Sequence, residues 1–293
     1  MTFRRNDEEE PVSSSLSGFL RSLLAGIPWS EHAEGVEELH FEAPGHSVVR
    51  LHNANGRTRV IGEERSDIEV VVSKTARAES AEAARRLLEE IQLTSRDAEN
   101  RLDLKVEIPR RWNRRGCANV EIRIPRETQI EIASINGRIE VNGLRAGLRA
   151  RSSNGSACIR DIIGNIDIIT SNAKVCCSGT CGTLTARSSN GKIEIEEHRG
   201  SIDASTSNGL IRASLEELGK RGVQLATSNG RIVLELPEEV DADIDIRIDN
   251  GIIRSDRTLE PANRESTGRL SGRLGSGGTQ VKLRTSNGSI SLR

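Results

Sequence analysis

Residues 184–195 read LTARSSNGKIEI, and residues 202–213 read IDASTSNGLIRA eighteen positions later. The Asn of this motif recurs along the chain, and every copy except Asn172 is followed by Gly. The series is Asn136, Asn154, Asn172, Asn190 and Asn208 at intervals of 18, Asn229 and Asn250 at intervals of 21, and finally Asn287. A fixed period in this range indicates stacked supersecondary units, each too small to bury its apolar face alone.

Apolar and polar residues alternate on both sides of each Asn. Around Asn190, the apolar positions lie six and four residues before it and three and five residues after it: Leu184, Ala186, Ile193 and Ile195. A period of two predicts strands. The same pattern surrounds Asn55-Gly56, so the sequence predicts nine coils, one of them separated from the others by a long insertion.

A second Gly follows most Asn positions after about ten residues, at Gly147, Gly164, Gly182 and Gly200. Each coil is therefore predicted as strand, Asn-Gly corner, strand and Gly corner. Asn-Gly is typical of antiparallel hairpins, but the fixed register favours pairing with the equivalent strand of the next coil. The predicted fold is all-β, a two-sheet β-solenoid with coils of roughly 18–21 residues, and an antiparallel meander is the alternative.

The corners make two further expectations. Gly supplies φ > 0 after each Asn, and stacked Asn side chains hydrogen-bond from coil to coil. Ala173 is the exception in the Gly series, so its corner is either strained or uses another turn.

Composition narrows the classes of function. Aromatic residues make up 2% of the chain, none follows Trp112, and the formal net charge is −1. Nucleic acid is therefore not expected as a partner, since single-strand binders combine basic grooves with aromatic platforms.

Residues 1–38 are predicted as a disordered tail and an amphipathic helix. The helix carries an apolar stripe of Leu16, Phe19, Leu20, Leu23, Leu24 and Ile27. It is expected to cap the solenoid, and the alternative is peripheral contact with a membrane or a partner. Since no signal peptide or membrane span is recognisable, the expected location is the cytoplasm or the inner face of the membrane.

Residues 39–293 are predicted as the solenoid domain, with a strand-helix-strand insertion at 61–129 and a flexible loop at 256–278. Ser80 caps the helix of the insertion, which bears Ala84, Leu87, Leu88 and Ile91. A basic loop of Arg110, Arg111, Arg114 and Arg115 surrounds Trp112. This loop is expected to be solvated, and an anionic ligand is the alternative.

No catalytic, cofactor-binding or metal site is predicted. The row Asp241, Asp243, Asp245 and Asp249 resembles paired acids, but its spacing places the carboxylates on an outward, solvated face. The trio His40, His46 and His52 is interrupted by Pro44-Gly45, which disfavours zinc. A broken basic row shares one outward position: Arg151, Arg187, Arg247 and Arg284.

The five cysteines contain no Cys-x-x-Cys pair. Cys177 is predicted to face inward, whereas Cys158 and Cys176 are expected side by side on the outward face of adjacent coils. All five are expected to be reduced, and a strained Cys158–Cys176 disulfide is the alternative.

The repeated units Ser-Asn-Gly-x-Ile and Gly-x-Ile-x-Ala-x-Thr-Ser-Asn-Gly resemble the bacterial "putative adhesin" family of DUF4097 type. The likeness covers about residues 40–293 and includes the early copy at Asn55, followed by an insertion that ends in Ile122-Arg-Ile-Pro125. The resemblance implies a β-solenoid with an adhesin-like role, and some relatives are tied to the cell envelope.

Three functions follow as hypotheses. The first is a non-enzymatic adhesin-like scaffold that presents a repetitive surface to a protein or an envelope polymer. The second is a self-assembling filament protein of bactofilin type, with end-to-end association, and the third is a carbohydrate-active enzyme. The final segment, Ser289–Arg293, distinguishes the first two, because an uncovered last coil would be a template for another chain.

Overall fold

The structure is a computed structural model that describes residues 31–43, 47–98, 100–109, 115–265 and 268–293. The amphipathic helix predicted over Leu16 to Ile27 lies outside the described residues. Within the described ranges, no helix has the length and apolar character that crossing a membrane would require.

Most of the described chain is strand. The first ten strands are β1 (Glu31–Glu42), β2 (Val48–Asn55), β3 (Thr58–Glu63), β4 (Asp67–Ala78), β5 (Gln92–Ala98), β6 (Arg101–Glu107), β7 (Gly116–Pro125), β8 (Gln129–Asn136), β9 (Ile139–Asn142) and β10 (Leu148–Asn154). The others are β11 (Ala157–Arg160), β12 (Ile163–Thr170), β13 (Val175–Ser178), β14 (Cys181–Asn190), β15 (Ile193–Glu235), β16 (Ala242–Ser255), β17 (Glu260–Glu265), β18 (Arg269–Leu274) and β19 (Thr279–Leu292). A helix, α1 (Ala81–Glu90), lies between β4 and β5.

Equivalent strands of successive coils pair in parallel with no register shift, as the sequence predicts. Ala150 of β10 lies opposite Ile168 of β12, and Asn190 lies opposite Asn208. We name the strands before each Asn the first face and the strands after it the second face. Both faces belong to one hydrogen-bonded sheet of nineteen strands that folds around the Asn-Gly corners. The β-solenoid prediction is confirmed.

The core lies between the two faces and consists of the inward residues of the alternating pattern. Leu184, Ala186, Ile193 and Ile195 are all fully buried, as are their equivalents in neighbouring coils. Because facing side chains are mostly Ile, Val, Leu and Ala, the space between the faces is filled without aromatic rings.

The Asn side chains form a continuous ladder along the corner. Each Nδ2 donates to the Oδ1 of the Asn in the adjacent coil at 2.9–3.2 Å. The ladder connects Asn136, Asn154, Asn172, Asn190, Asn208, Asn229, Asn287 and Asn250, in that order. Side-chain amides thus fix the register that the backbone pairing follows.

The order of this ladder corrects one expectation. The coil of Asn287 is the last in sequence, but β19 pairs with β15 on one side and with β16 on the other. Residues 289–293 therefore lie between two coils and are not an open end of the stack. The sequence does not predict this position, because the repeat gives the order of the coils along the chain but not their order in the stack.

The segment 256–278, for which the sequence predicts a flexible loop, contains the two strands β17 and β18. β18 pairs antiparallel with Ala242–Arg247 of β16, and β17 pairs antiparallel with β18. The high content of Gly, Ser and Arg suggests a loop, but Leu270 and Leu274 point inward and are buried. These strands cover the C-terminal end of the first face.

The insertion at 61–129 contains the predicted helix, with Ser80 as its N-cap and with Ala84 and Leu87 buried. Its strands β6 and β7 also form a coil of the solenoid, since they pair in parallel with β2 and β3. Antiparallel strands then cover this end: β5 pairs with β6, β4 pairs with β7, and β1 pairs with β4.

The Gly after each Asn is required by close approach more than by its dihedral angle. A Cβ on Gly230 would lie 1.8 Å from the carbonyl oxygen of Gly209 in the adjacent coil. Left-handed backbone instead recurs seven residues after the Asn, at Gly143, Asp161, Gly179 and Glu197. The expectation of φ > 0 after Asn holds for only some coils, for example at Gly137.

Ala173 does not have a positive φ, so its corner uses another turn. We predict that Ala173→Gly does not stabilise the protein. It should lower the free energy of unfolding by about 0.5–1 kcal/mol, because Gly gives the unfolded chain more conformational entropy. Chemical denaturation measures the difference, and an increase in stability would show strain at this corner.

Gly230→Ala should destabilise the solenoid by about 2–3 kcal/mol, because the added methyl group forces two backbones apart. Gly147→Ala is the matched control, since its nearest new contact would be ordinary van der Waals contact at 3.5 Å. The control should change stability by less than about 1 kcal/mol. Equal losses in both variants would contradict the close-approach explanation.

His198 is a polar residue in the core, with no exposed surface. Its Nδ1 lies 2.8 Å from Thr180 Oγ1, the equivalent position of the preceding coil. Burial lowers the pKa of His198, although nearby backbone groups oppose the shift. The folded chain thus takes up this proton at lower pH than the unfolded chain, so stability is lost as pH falls below the ordinary range of histidine.

We therefore predict that the Tm falls between pH 7.5 and pH 5.5, and that His198→Leu makes this fall smaller. The leucine occupies similar volume and cannot take up a proton. Thermal unfolding followed by circular dichroism at the two pH values provides the test, with His32→Leu on β1 as an exposed control. An unchanged pH dependence in His198→Leu would assign the acid sensitivity to other groups.

Candidate binding surface

The outward side of the first face carries a groove across the C-terminal coils. Its floor consists of the coils of Asn208 and Asn229, whose residues three positions before the Asn are small: Ser205 and Ala226. On one side the equivalent residue is Arg284, which lines the groove together with Arg247 of the next coil, and on the other side the coil of Asn190 contributes Ser188, next to Arg187. Two coils with short side chains between coils with long ones leave an open depression of about 490 Å³.

Hydroxyl groups dominate the lining of this groove. The lining residues are Ser188, Ser205, Thr206, Ser207, Ala226, Thr227, Ser228, Arg247, Asp249, Arg284, Thr285 and Ser286. Ser188, Thr206, Thr227 and Thr285, two positions before each Asn, are buried, so the accessible hydroxyl groups are those of Ser205 and of the serines one position before each Asn: Ser207, Ser228 and Ser286. Such a surface offers hydrogen-bond donors and acceptors at intervals of about 4.8 Å along the solenoid axis.

A second depression of about 290 Å³ lies on the same face, nearer the Gly corners. It includes Thr185, Gln224, Gln280 and Lys282, which lie five or seven positions before the Asn of their coils. The two depressions therefore follow the same strands, and together they form a polar strip across the first face. We call this strip the groove face.

The arginines of the groove face differ in their pairing. Arg187 forms an ion pair with Asp203 at 3.2 Å, and Arg247 forms one with Asp245 at 3.0 Å. Within the described residues, Arg284 and Lys282 have no ion-pair partner. These two cations lie on one strand, β19, because the C-terminal coil is intercalated beside the groove floor.

Arg151, the fourth residue of the predicted basic row, lies away from the groove. The coil of Asn172 separates it from Arg187, and Ile169 occupies the equivalent position there. The row is therefore broken, as the sequence indicates. Arg247 and Arg284 are brought together as register partners, whereas Arg187 lies beyond the groove floor and Arg151 lies further away.

The predicted acid row serves structural contacts. Asp241 Oδ1 accepts from the Ser276 backbone N–H at 2.6 Å, and Asp243 Oδ2 accepts from Gln280 Nε2 at 3.1 Å. Partial burial opposes ionisation of Asp245, but hydrogen bonds from Arg247 and Arg269 lower the pKa of its carboxyl group overall. The first three acids of the row are thus held by neighbouring groups, and Asp249 lies in the groove lining.

The histidine trio is not brought together in the described structure. His40 is on β1, which pairs with β4 at the edge of the second face, whereas His52 is on β2 of the first face. His46 lies outside the described residues. Among the residues that the structure describes, no three His, Cys, Asp or Glu side chains are grouped to hold a metal ion.

The basic loop lies mostly outside the described residues, which exclude Arg110, Arg111, Trp112 and Arg114. Arg115 is described and forms an ion pair with Glu79 at 3.3 Å. The chain leaves and re-enters the described structure at the corner beside Asn55, whose Nδ2 donates to the Gly116 carbonyl oxygen at 2.8 Å.

Sequence reasoning did not find the groove. The small residues Ser205 and Ala226 were visible as a gap in the basic row, but a gap becomes a groove only when the coils on both sides are known. On one side lies Arg284, which is 58 residues from Ala226 in sequence and adjacent to it in the sheet.

The in-register coils and their covered ends place this chain in the class of parallel β-solenoids built from short coils. The chain belongs to the Toastrack DUF4097 family, whose model matches residues 48–293. The family membership expected from the repeated Ser-Asn-Gly units is confirmed. No curated protein matches this chain.

Three solved structures are similar to it, each at 10% sequence identity. A "putative cell adhesion protein" from Clostridium sporogenes ATCC 15579 has a TM-score of 0.30, with 89% of this chain and 99% of that chain covered. A "putative adhesin" from Bacteroides fragilis NCTC 9343 has a TM-score of 0.46, with coverages of 88% and 97%. A "putative lipid binding protein" from Parabacteroides distasonis ATCC 8503 has a TM-score of 0.37, with the same coverages. At this identity, none of them transfers a ligand or a residue role.

Proposed function

We propose that this protein is a non-enzymatic, adhesin-like scaffold that binds an acidic envelope polymer on the groove face. The observation that carries the proposal is the pair Arg284 and Lys282, which lack ion-pair partners in the described chain and lie beside a floor that exposes the serines before Asn208 and Asn229. Guanidinium and ammonium groups donate charge-assisted hydrogen bonds to carboxylate or phosphate oxygens, and the hydroxyl groups suit the remaining polar atoms of such a polymer.

The shape of the groove favours an extended chain. The coils of Asn190 and Asn287, which border the floor, are three coil steps apart, which corresponds to roughly 14 Å. The groove is open along the strand direction, so it accommodates a polymer without requiring a chain end. Its repetitive hydroxyl lining matches a repetitive ligand better than a compact small molecule.

The chemistry of the surface separates acidic polymers from two other ligands. Neutral glycans usually stack a sugar ring on an aromatic side chain, and no aromatic residue follows Trp112 in the sequence. Single-stranded nucleic acid also relies on aromatic stacking in a basic groove. Ion pairs with a regularly charged polymer do not need an aromatic side chain.

The proposal predicts that a polyuronate such as alginate binds the protein and that dextran, a neutral polymer, does not. Replacing both Arg284 and Lys282 by Ala should weaken alginate binding about tenfold, comparable to the loss of one charge-assisted hydrogen bond. Binding should also weaken with added salt, because exposed charges are screened. Affinity electrophoresis or calorimetry measures both effects.

The matched control is the double variant Arg212→Ala/Arg231→Ala. Both arginines are exposed on the second face, in the coils that form the groove floor, and the change in charge is the same. The control should bind alginate like the wild type. Equal weakening in both double variants would show that binding depends on net charge and not on the groove face. Equal binding of dextran and alginate would show that the ligand need not be acidic.

A further inference from the structure

Cys158 and Cys176 form a pair of adjacent thiols on the outward side of the second face. They are register partners on β11 and β13, and their Sγ atoms are 3.1 Å apart. Both lie four residues after the Asn of their coil, so the 18-residue period brings them together. Both side chains are half-buried, which leaves them open to small reagents.

The flanking charges favour a thiolate in this pair. Glu140 and Glu194 lie in the coils on either side, but each carboxylate is held by basic residues. Glu140 pairs with Arg57 at 2.6 Å, and Glu194 pairs with Lys174 and Lys192. Neutralised carboxylates repel a neighbouring thiolate less than free ones.

The two sulfurs share a hydrogen bond, and this bond shifts the pKa values of the two thiols in opposite directions. It lowers the pKa of Cys158 to about 6, although burial opposes the shift, and attraction to Arg138 adds to it. The same hydrogen bond, together with burial, raises the pKa of Cys176. The pair therefore loses a first proton near neutral pH, and the remaining proton is held between the sulfurs.

The other described cysteines lack this environment. Cys177 faces the core as predicted, and burial raises its pKa to about 12. Burial also raises the pKa of the Cys117 thiol, although the charge of Arg77 opposes the shift. Cys181 is half-buried but lies opposite Ile163 and Arg199, so Cys158 and Cys176 are the two described cysteines that are register partners.

We propose that Cys158 and Cys176 form a redox-active dithiol that exchanges with small-molecule disulfides and closes into a reversible Cys158–Cys176 bridge. The Cys158 thiolate attacks one sulfur of the disulfide, forming a mixed disulfide and releasing one thiolate. Cys176, which gives its proton to the solvent, then attacks Cys158 Sγ and releases the second thiolate. In total the dithiol loses two protons and two electrons, which together equal two hydrogen atoms, and the small disulfide is reduced to two thiols.

The geometry of the solenoid places the two thiols within bridging distance and makes the resulting bridge easy to reduce. In-register parallel strands are about 4.8 Å apart, within the Cα separation that disulfides adopt. Their side chains point in the same direction, however, so the bridge departs from relaxed disulfide geometry. Strained and accessible disulfides have more oxidising potentials, which is typical of regulatory rather than structural bridges.

The test uses the full-length protein in graded mixtures of reduced and oxidised glutathione, followed by alkylation and intact-mass spectrometry. The wild type should lose the mass of two hydrogen atoms and retain three alkylated thiols. Cys176→Ser should accumulate one stable glutathione adduct, because Cys158 can be attacked but the adduct cannot be resolved. Cys158→Ser should react much more slowly.

Cys181→Ser is the matched control, since this thiol lies in the coil next to that of Cys176 and is also half-buried. It should form the bridge like the wild type. Five alkylated thiols in the wild type at every glutathione ratio would overturn the proposal. So would a wild-type glutathione adduct that persists without closing, and the wild-type measurement stands even if a serine variant fails to fold.

Discussion

The zero-shift stacking of coils is the constraint on which the other features depend. Two interactions enforce it at the same corner: the amide ladder of the Asn side chains and the close approach of the following backbone, which excludes a Cβ at Gly230. An amide hydrogen bond contributes about 0.5–1.5 kcal/mol net. Each ladder step is modest, but a shift of one coil by one residue would break the steps that join it to its neighbours and turn its core residues outward.

This constraint explains why the last coil in sequence can lie between two earlier coils. The coil of Asn287 carries the same offsets as its neighbours, so it fits between the coils of Asn229 and Asn250 without loss of register. The chain reaches that position through residues 256–278, whose strands β17 and β18 cover the end of the first face. A repeat that specifies register but not order permits this arrangement.

The sequence was sufficient for the fold and insufficient for the site. Period two around each Asn identifies the inward residues, the strands and their partners, because the repeat carries that information locally. Nothing in the offsets of Arg284 specifies which coil it will lie beside, so the groove could not be predicted. The reason for Gly at the corners is also only partly predictable from the sequence. The Asn-Gly pattern predicts that Gly is needed for a positive φ, whereas at Gly230 the carbonyl oxygen of the adjacent coil is the stronger constraint.

The two proposed sites arise from the same geometry. In a parallel in-register stack, residues one period apart in sequence become neighbours at about 4.8 Å, whatever their chemistry. Where the repeated outward position is Ser, as it is directly before Asn208 and Asn229, the result is a row of exposed hydroxyl groups on the groove face. Where two successive coils place Cys at one outward position, as at Cys158 and Cys176, the result is a dithiol. The core positions are constrained by packing, so chemical variation in this fold is concentrated in the outward columns, and function is to be sought there.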